Sequence, residues 1–142
     1  MSLSYIDGNG NEVLIAGVAA LKNATLLYED VSLNPNTSYQ ALTLTQDFGT
    51  FDEIEIQYNY YDGTNSHFKT SRFTVYDPTI AYTEINAGKW VTATVLNFQV
   101  LTIEFTGTTA TVQHISSMDI GTNGNSAKAG KIHIDRILGI KN

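Results

Sequence analysis

Short runs of alternating apolar and polar residues constrain the fold of this chain more than any other feature of its sequence. The clearest run spans Asp52 to Tyr61, and its apolar face collects Ile54, Ile56, Tyr58 and Tyr60. A period of two is typical of an antiparallel strand that is buried on one face and wet on the other. Because helix signals are nearly absent, the sequence predicts an all-β fold.

Turn residues join these runs into two predicted hairpins. The cluster that begins with Asp62-Gly63 separates the run Asp52–Tyr61 from a second alternating run, His67–Tyr76, with Phe73 and Val75 on one face. Gly and Asp at such a position favour a tight connection, so the two runs are expected to pair antiparallel.

The second hairpin is predicted around Gly107-Thr108. Before this turn, apolar residues alternate with polar ones from Leu101 to Phe105. After it, Ala110, Val112 and His114 are expected to share one face.

Three further segments are rich in β-branched and aromatic residues and are predicted as strands: Thr25–Val31, Tyr39–Thr45 and Trp90–Phe98. Their spacing, with turn signals between them, indicates a sandwich or a barrel. Of the two, we expect an antiparallel β-sandwich with a jelly-roll-like arrangement.

Three segments are less regular. The last run, Lys131–Lys141, loses its alternation at Arg136-Ile137-Leu138, which a β-bulge would explain. The apolar stretch Val13–Leu21 suits a short helix or a buried strand, and we favour the strand. Asn123–Ser126 is predicted to be a polar loop between two strands.

Size and charge exclude several functions. A chain of 142 residues fits one domain with a substantial core. A net charge of -6 argues against binding to the phosphate backbone of a nucleic acid. The absence of Cys removes disulfides and thiolate sites, and leaves the redox compartment undetermined.

No apolar run approaches the roughly 20 residues that span a bilayer, and Met1–Ser4 lacks the basic start of an export signal. Neither membrane insertion nor export is therefore expected.

The sequence predicts no metal site and no cofactor. His133 and Asp135 are two residues apart on one predicted strand face, but the three His are scattered, and ordinary histidines are the better interpretation. Asp7–Glu12 looks like a calcium loop but lacks the Gly and Glu that an EF-hand needs at its sixth and twelfth positions. Asn9-Gly10 is more simply a hairpin turn.

Catalytic motifs are missing as well. The chain has no nucleophile elbow and no motif that pairs a Ser with a His. Carboxylates on outward strand faces usually solvate the surface, although a pair about 5 to 10 Å apart would suit glycoside cleavage. We therefore predict that the protein is not an enzyme, with a small glycan-active hydrolase or lyase as the alternative.

One hairpin combines aromatic, amide and carboxylate groups. Tyr58 and Tyr60 share the apolar face and are expected in the core or an interface, which leaves Tyr61, Asp62, Asn65 and His67 as saccharide-binding candidates near the tip. An aromatic face stacks on the C–H face of a sugar, while polar side chains bind its hydroxyls. Trp90 is a further candidate, although we expect it to lie in the core rather than at a binding site.

Three stretches together resemble the C-terminal tip domains of bacteriophage tail fibres and receptor-binding proteins. They are Ala24–Tyr28, the run from Leu42 through Phe48 to Phe51–Tyr58, and the closing Ile134–Lys141. In that group, similar strands surround a β-sandwich and end in an arginine, isoleucine, glycine and lysine pattern. The resemblance covers residues 24–142, so residues 1–23 are expected to be a connector or lead-in strand.

The resemblance implies a non-enzymatic adhesion domain on a phage or prophage tail, made in the bacterial cytoplasm and located in the virion. Its expected partners are a saccharide on the host cell surface, two further copies of itself in a homotrimer, and other tail proteins. Loops vary in this group, so no receptor-contacting residue is carried over. A purely structural virion or assembly protein is the second alternative.

Overall fold

The computed structural model describes residues 4–14, 23–61 and 65–142, and its regular elements are almost all strands. The strands are β1 (Ser4–Ile6), β2 (Glu12–Leu14), β3 (Ala24–Glu29), β4 (Ala41–Thr43), β5 (Glu53–Tyr61), β6 (Ser66–Thr74), β7 (Ala81–Thr92), β8 (Val95–Thr106), β9 (Thr109–Gly121), β10 (Gly124–Lys128) and β11 (Ile132–Ile140). One turn of 3-10 helix spans Phe48–Thr50. In these described ranges, no helix is long and apolar enough to cross a membrane.

Two antiparallel sheets pack face to face, which confirms the predicted β-sandwich. Sheet I has the strand order β3-β11-β5-β6, and sheet II has the order β10-β9-β8-β7, with β4 also paired to β9. Strands β1 and β2 form a separate two-stranded sheet. The division of the chain after residue 23 stays a prediction.

The strand order differs from a jelly roll in one respect. The chain crosses between the sheets repeatedly, as a jelly roll does, because β4 and β7–β10 belong to sheet II and the strands around them belong to sheet I. However, β7, β8, β9 and β10 are consecutive neighbours and form a meander, whereas a jelly roll is built from two Greek keys. Short turns between these long strands favour the meander.

Both predicted hairpins are confirmed. Strand β5 pairs antiparallel with β6, and β8 pairs antiparallel with β9. Gly107, in the turn between β8 and β9, has a positive φ of 55°, which glycine adopts readily. The Asp62-Gly63 turn itself lies outside the described residues.

One face assignment was wrong. Thr102 pairs with His114, but the next residue, Ile103, pairs with Val112. At this register shift, β9 therefore contains one extra residue between the two partners. The bulge moves His114 to the opposite face from Val112, and His114 is exposed while Val112 is fully buried.

Two boundaries also differ from the sequence prediction. The segment Trp90–Phe98 is not one strand, because a turn at residues 93–94 ends β7 and begins β8. Asn123–Ser126 is not wholly loop, since β10 begins at Gly124 and pairs along β9. Polar residues form this edge strand because its side chains are exposed and need no apolar partner. Most of Val13–Leu21 lies outside the described residues.

The N-terminal hairpin turn is confirmed. Strands β1 and β2 pair antiparallel, and Gly10 between them has a φ of 82°. Asp7 Oδ1 accepts hydrogen bonds from the backbone N–H groups of Asn9 and Asn11, each at 2.9 Å. These bonds explain the Asp-x-Asn-Gly-Asn sequence as turn chemistry.

The core lies between the two sheets and is closed by aromatic rings at one end. Sheet I and sheet II contribute fully buried isoleucines, leucines and valine to one cluster. Next to the Gly107 turn, the ring of Phe105 lies 5.6 Å from Phe48 and 5.4 Å from Phe73, between ring centres. Tyr58 and Tyr60 are buried, as predicted.

The predicted bulge in the last strand is present. Ile134 pairs with Tyr58 of β5 and Arg136 pairs with Gln57, so Asp135 is an extra residue in β11. Because of this insertion, Ile134 and Ile137 are both fully buried in the core although they are three residues apart.

Gly139 of β11 lies against an aromatic ring and generates the first prediction. A Cβ at residue 139 would lie 2.5–2.6 Å from three ring carbons of Phe51, whereas a Cβ at Gly88 would make ordinary contacts at 3.6–3.7 Å. We expect Gly139→Ala to lower the free energy of unfolding by about 1–3 kcal/mol, as overpacking typically does. Gly88→Ala, the control, should change it by less than about 0.5 kcal/mol. Equal urea midpoints for both variants would contradict this packing.

Candidate functional site

A groove crosses the outer face of sheet I, on the side away from the core. It has a volume of about 410 Å³. Its lining residues come from the end of β3 and the loop after it, and from β5, β6 and β11: Glu29, Asp30, Val31, Leu33, Gln57, Tyr58, Phe68, Lys69, Thr70, Asp135 and Arg136. A concave site with apolar walls and a few polar groups is the usual form of a ligand pocket.

The loop after β3 forms one wall because it runs beside β11. The backbone N–H of Asp30 donates to the carbonyl of Asp135 at 2.9 Å, and the N–H of Asn36 donates to the carbonyl of Ile132 at 2.9 Å. The side-chain oxygen of Asn36 accepts from the N–H of Ile134 at 2.6 Å. The loop therefore continues the pairing of sheet I past the end of β3.

Exposed apolar side chains stand on both sides of the groove. Val31 and Leu33 belong to the loop and are 80% and 52% exposed, and Phe68 of β6 is 70% exposed. Leu33 has a φ of 61°, a left-handed conformation that costs a branched residue energy. Leu33 thus lies at the groove in a backbone conformation that is unfavourable for its side chain.

A buried polar cluster supports the groove from below. His133 is fully buried, and its Nδ1 lies 2.8 Å from Asp135 Oδ1. The side-chain amide of Asn59, which is 1% exposed, donates to the same oxygen at 2.7 Å. On the other side of the ring, His133 Nε2 lies 3.3 Å from Asp30 Oδ2.

The contact between His133 Nε2 and Asp30 is electrostatic rather than a well-formed hydrogen bond. The distance is within ion-pair range, yet Nε2 has no hydrogen bond of good geometry to any described residue. Each ring nitrogen of His133 thus faces a carboxylate. The imidazole therefore fixes the positions of Asp30 and Asp135, which come from opposite ends of the chain.

Backbone hydrogen bonding stabilises the charged form of Asp30. The N–H of Ser32 donates to Asp30 Oδ1 at 2.9 Å, and this bond lowers the pKa of Asp30 below its usual value. Partial burial opposes this change, and the neighbouring His133 adds to the lowering. Asp30 is consequently an ionised hydrogen-bond acceptor at neutral pH.

The guanidinium of Arg136 completes the groove. The Arg136 guanidinium places Nε and Nη2 each 3.1 Å from Glu29 Oε1, which orients both side chains across β11 and β3. Lys69 of β6 also borders the groove, but it pairs with the core-facing Tyr58, so its side chain leaves the strand on the opposite face from Phe68. The groove can therefore offer carboxylate acceptors and the guanidinium donors of Arg136 beside an apolar surface.

Of the residues predicted from sequence, Asn65, His67 and Trp90 do not line this groove. Asn65 and His67 are exposed at the start of β6, and the His67 ring stacks on Tyr60 with a centroid distance of 6.0 Å. Tyr61 is the last residue of β5, and Asp62 lies outside the described residues. The structure thus brings Asn65 and His67 to one end of sheet I, beside the end of β5.

Trp90 is not a core residue, which corrects the first expectation for it. It is 63% exposed on the outer face of sheet II, because alternate positions of β7 such as Ile85 and Ala87 face the core. It lies on the other sheet from the groove.

Sequence reasoning missed the groove residues. Phe68 carried a signal that was not used, because the alternation that puts Phe73 and Val75 inward puts Phe68 outward. Asp30 and Asp135 carried none, because only the pairing of β3, its following loop and β11 brings them together. In the described parts of the chain, no group of three or more His, Cys, Asp or Glu is placed to hold a metal ion.

Comparison with known proteins assigns no relationship. No family model matches the sequence, and no curated protein matches it significantly.

The Asp30 contacts generate a prediction about pH. Since the folded pKa of Asp30 is below its ordinary 3.8, its stabilising effect is fully present above that value and is lost as the pH falls through the folded value. Asp30→Asn should therefore lower the Tm by a few degrees at pH 7 and by progressively less below about pH 4.

Thermal unfolding followed by circular dichroism between pH 7 and pH 2.5 measures this difference. Glu84→Gln, an exposed carboxylate on sheet II, is the charge-matched control and should unfold like the wild type. A Tm for Asp30→Asn equal to that of the wild type at neutral pH would show that the negative charge of Asp30 contributes nothing to stability.

Proposed function

We propose that this protein is a non-enzymatic saccharide-binding domain and that the groove on sheet I is its binding site. One observation carries the proposal: the exposed ring of Phe68 borders the same groove as the fixed carboxylates of Asp30 and Asp135. Sugars have an apolar C–H face and directional hydroxyl groups, so they are bound by this combination.

The hydrogen bonds beneath the groove support recognition of a ligand with several hydroxyls. Asn59 and His133 hold Asp135, and the Ser32 N–H holds Asp30, before any ligand arrives. Acceptors that are already held in place reduce the loss of side-chain conformational entropy that binding would otherwise cost. Arg136 adds donors to the ring and hydroxyl oxygens of a sugar.

We further propose that the domain is a receptor-binding tip on a phage tail, with a host-surface saccharide as its ligand and the virion as its location. The sequence resemblance supports this context. Its three stretches correspond to β3, β5 with the segment before it, and β11, and these strands are neighbours in sheet I. The groove is therefore built on the part of the chain that carries the resemblance.

Two alternatives receive less support. A glycan hydrolase needs a carboxylic acid that stays protonated near neutral pH, whereas the pKa of Asp30 in the groove is lowered. A purely structural virion protein would not need an apolar groove over a buried polar cluster. Turnover of soluble glycans and binding to surface glycans separate the three functions.

Assembly into a homotrimer is also part of the proposal. On the outer face of sheet II, Trp90, Leu96 and Ile120 form one cross-strand row, and Phe98 and Met118 form the next. These side chains are largely or partly exposed, and contiguous apolar patches of this kind favour contacts between chains. Three linked copies would raise the avidity of weak individual sites.

The groove gives a direct test of saccharide binding. Phe68→Ala should reduce binding to an array of bacterial surface glycans by about tenfold or more, because it removes the apolar stacking surface. Tyr76→Ala removes an aromatic ring that is 91% exposed outside the groove and is the matched control. Full binding by Phe68→Ala, with an unchanged Tm, would exclude the groove.

A second pair of variants tests the tip of the β5–β6 hairpin. Tyr61→Ala with Asp62→Ala should retain binding if the groove is the site. Loss of binding only in this double variant would move the site to the hairpin tip.

The oligomer can be tested by light scattering. The wild type should have three times the 15.6 kDa chain mass, and Phe98→Ser with Ile120→Ser should reduce it to one chain. Tyr82→Ser, also exposed on β7 but outside the two rows, should stay trimeric. A monomeric wild type at high concentration would contradict the homotrimer.

A further inference from the structure

The loop after β3, which forms one wall of the groove, depends on a single carboxylate. The backbone N–H groups of Asp30 and Asn36 bond to β11, each at 2.9 Å. Between these two anchors, residues 31–35 make no hydrogen bond to sheet I in the described structure. The N–H of Ser32 instead donates to Asp30 Oδ1 at 2.9 Å. The side chain of Asp30 therefore positions the part of the loop that borders the groove.

The other oxygen of Asp30 faces a buried histidine. Asp30 Oδ2 lies 3.3 Å from His133 Nε2, and His133 Nδ1 lies 2.8 Å from Asp135 Oδ1. The ring is fully buried, and Nε2 has no hydrogen bond of good geometry to a described residue. Asp30 thus connects the loop, through Ser32, to a buried ring of β11.

Neither neutral form of the imidazole suits these contacts. A neutral ring has one N–H group and one lone pair. With the proton on Nδ1, the lone pair of Nε2 faces the Asp30 carboxylate. With the proton on Nε2, the lone pair of Nδ1 faces Asp135 Oδ1 at 2.8 Å, although the Asn59 amide lies 3.4 Å away. In the imidazolium both nitrogens are donors, and the two carboxylates offset the cost of burying its charge.

Few other charged or titratable groups surround His133 in the described ranges. They are Asp135 on β11 itself, Asp30 in the loop, Tyr28 beside Asp30 on β3, and Glu29 with Arg136, which pair with each other. Strand β5 faces the ring with the uncharged Asn59. Burial and the charge of Asp30 raise the pKa of Tyr28 above its ordinary 10.0, so its hydroxyl stays neutral in the histidine range.

We infer that the proton on His133 regulates the groove: the doubly protonated ring holds Asp30 and the loop against β11, and loss of the proton releases this wall. The inference rests on the proposed function only for what the groove binds. Because the closed loop favours the protonated ring, the contact is present on the acid side of the His133 titration and is lost as the pH rises through it. Leu33, with its φ of 61°, gives the released loop a reason to change conformation, since a negative φ relieves the strain.

The first test follows the wild-type chain by NMR without a ligand. The ¹⁵N signals of the His133 ring report how many of its nitrogens carry a proton. Both should carry one at about pH 5, and the ring should lose one proton as the pH rises to about 8. The amide signals of Ser32 and Leu33 should move with the same midpoint. His114, which is exposed on sheet II, is the internal control, and its titration should leave those amide signals in place.

Variants assign the effect to the contact between His133 and Asp30. His133→Gln cannot gain a charge, so its loop signals should stay constant between about pH 5 and 8. Asp30→Asn keeps the ring but removes the carboxylate that faces Nε2, so His133 should hold its proton about tenfold less tightly. Glu84→Gln, an exposed change on sheet II, is the control and should leave the His133 titration unchanged. If His133→Gln does not fold, the wild type and Asp30→Asn decide the question.

Three results would overturn the inference. They are a His133 ring that keeps one charge state between about pH 5 and 8, a titrating ring that leaves the Ser32 and Leu33 signals unmoved, and an unchanged proton affinity of His133 in Asp30→Asn.

Binding to the glycan array separates this inference from the proposed function. The wild type should bind severalfold more tightly at about pH 5 than at about pH 8, because only the closed loop completes the groove. Equal affinities at the two pH values would overturn regulation by His133. Absence of binding at both would instead reject the proposed function, and the ligand-free titration would still decide whether the proton holds the loop.

Discussion

The extra residue at Asp135 in β11 is the constraint on which the rest of sheet I depends. Strand β11 pairs with β3 on one side and with β5 on the other, so its register sets both. The insertion lets Ile134 and Ile137 both face the core, and it directs the consecutive Asp135 and Arg136 to the groove. A regular strand would place one of these two charged side chains inside.

Most of the polar atoms buried under the groove are compensated by hydrogen bonds, and His133 Nε2, which faces the Asp30 carboxylate, is the exception among the described residues. Asn59, Asn36 and His133 are almost inaccessible to solvent, and an unpaired polar group in such a place costs about 1–3 kcal/mol. Asn59 and His133 both contact Asp135, while Asn36 bonds to the backbone of β11. The same contacts that offset burial also hold the loop and the two carboxylates beside β11.

The two ends of the sandwich differ in chemistry. Aromatic rings around Phe105 close the core next to the Gly107 turn. Amides and lysines around Asn97 occupy the other end, beside the turns that join β7 to β8 and β9 to β10. Connections that cluster at one end of a rigid sandwich are the usual place for binding residues.

The sequence by itself determined the elements that depend on neighbouring residues. Alternation gave the β5–β6 pair and buried Tyr58 and Tyr60, turn chemistry gave the hairpin at Gly107, and the loss of phase after Asp135 indicated the bulge. The same alternation implied an outward Phe68, but the sequence analysis did not single that residue out. Only the tertiary structure decided that Asp30 and Asp135 meet across His133, and that Trp90 is exposed. These outcomes depend on which strands pair across long separations and which face each sheet turns to the other, and no local pattern encodes either.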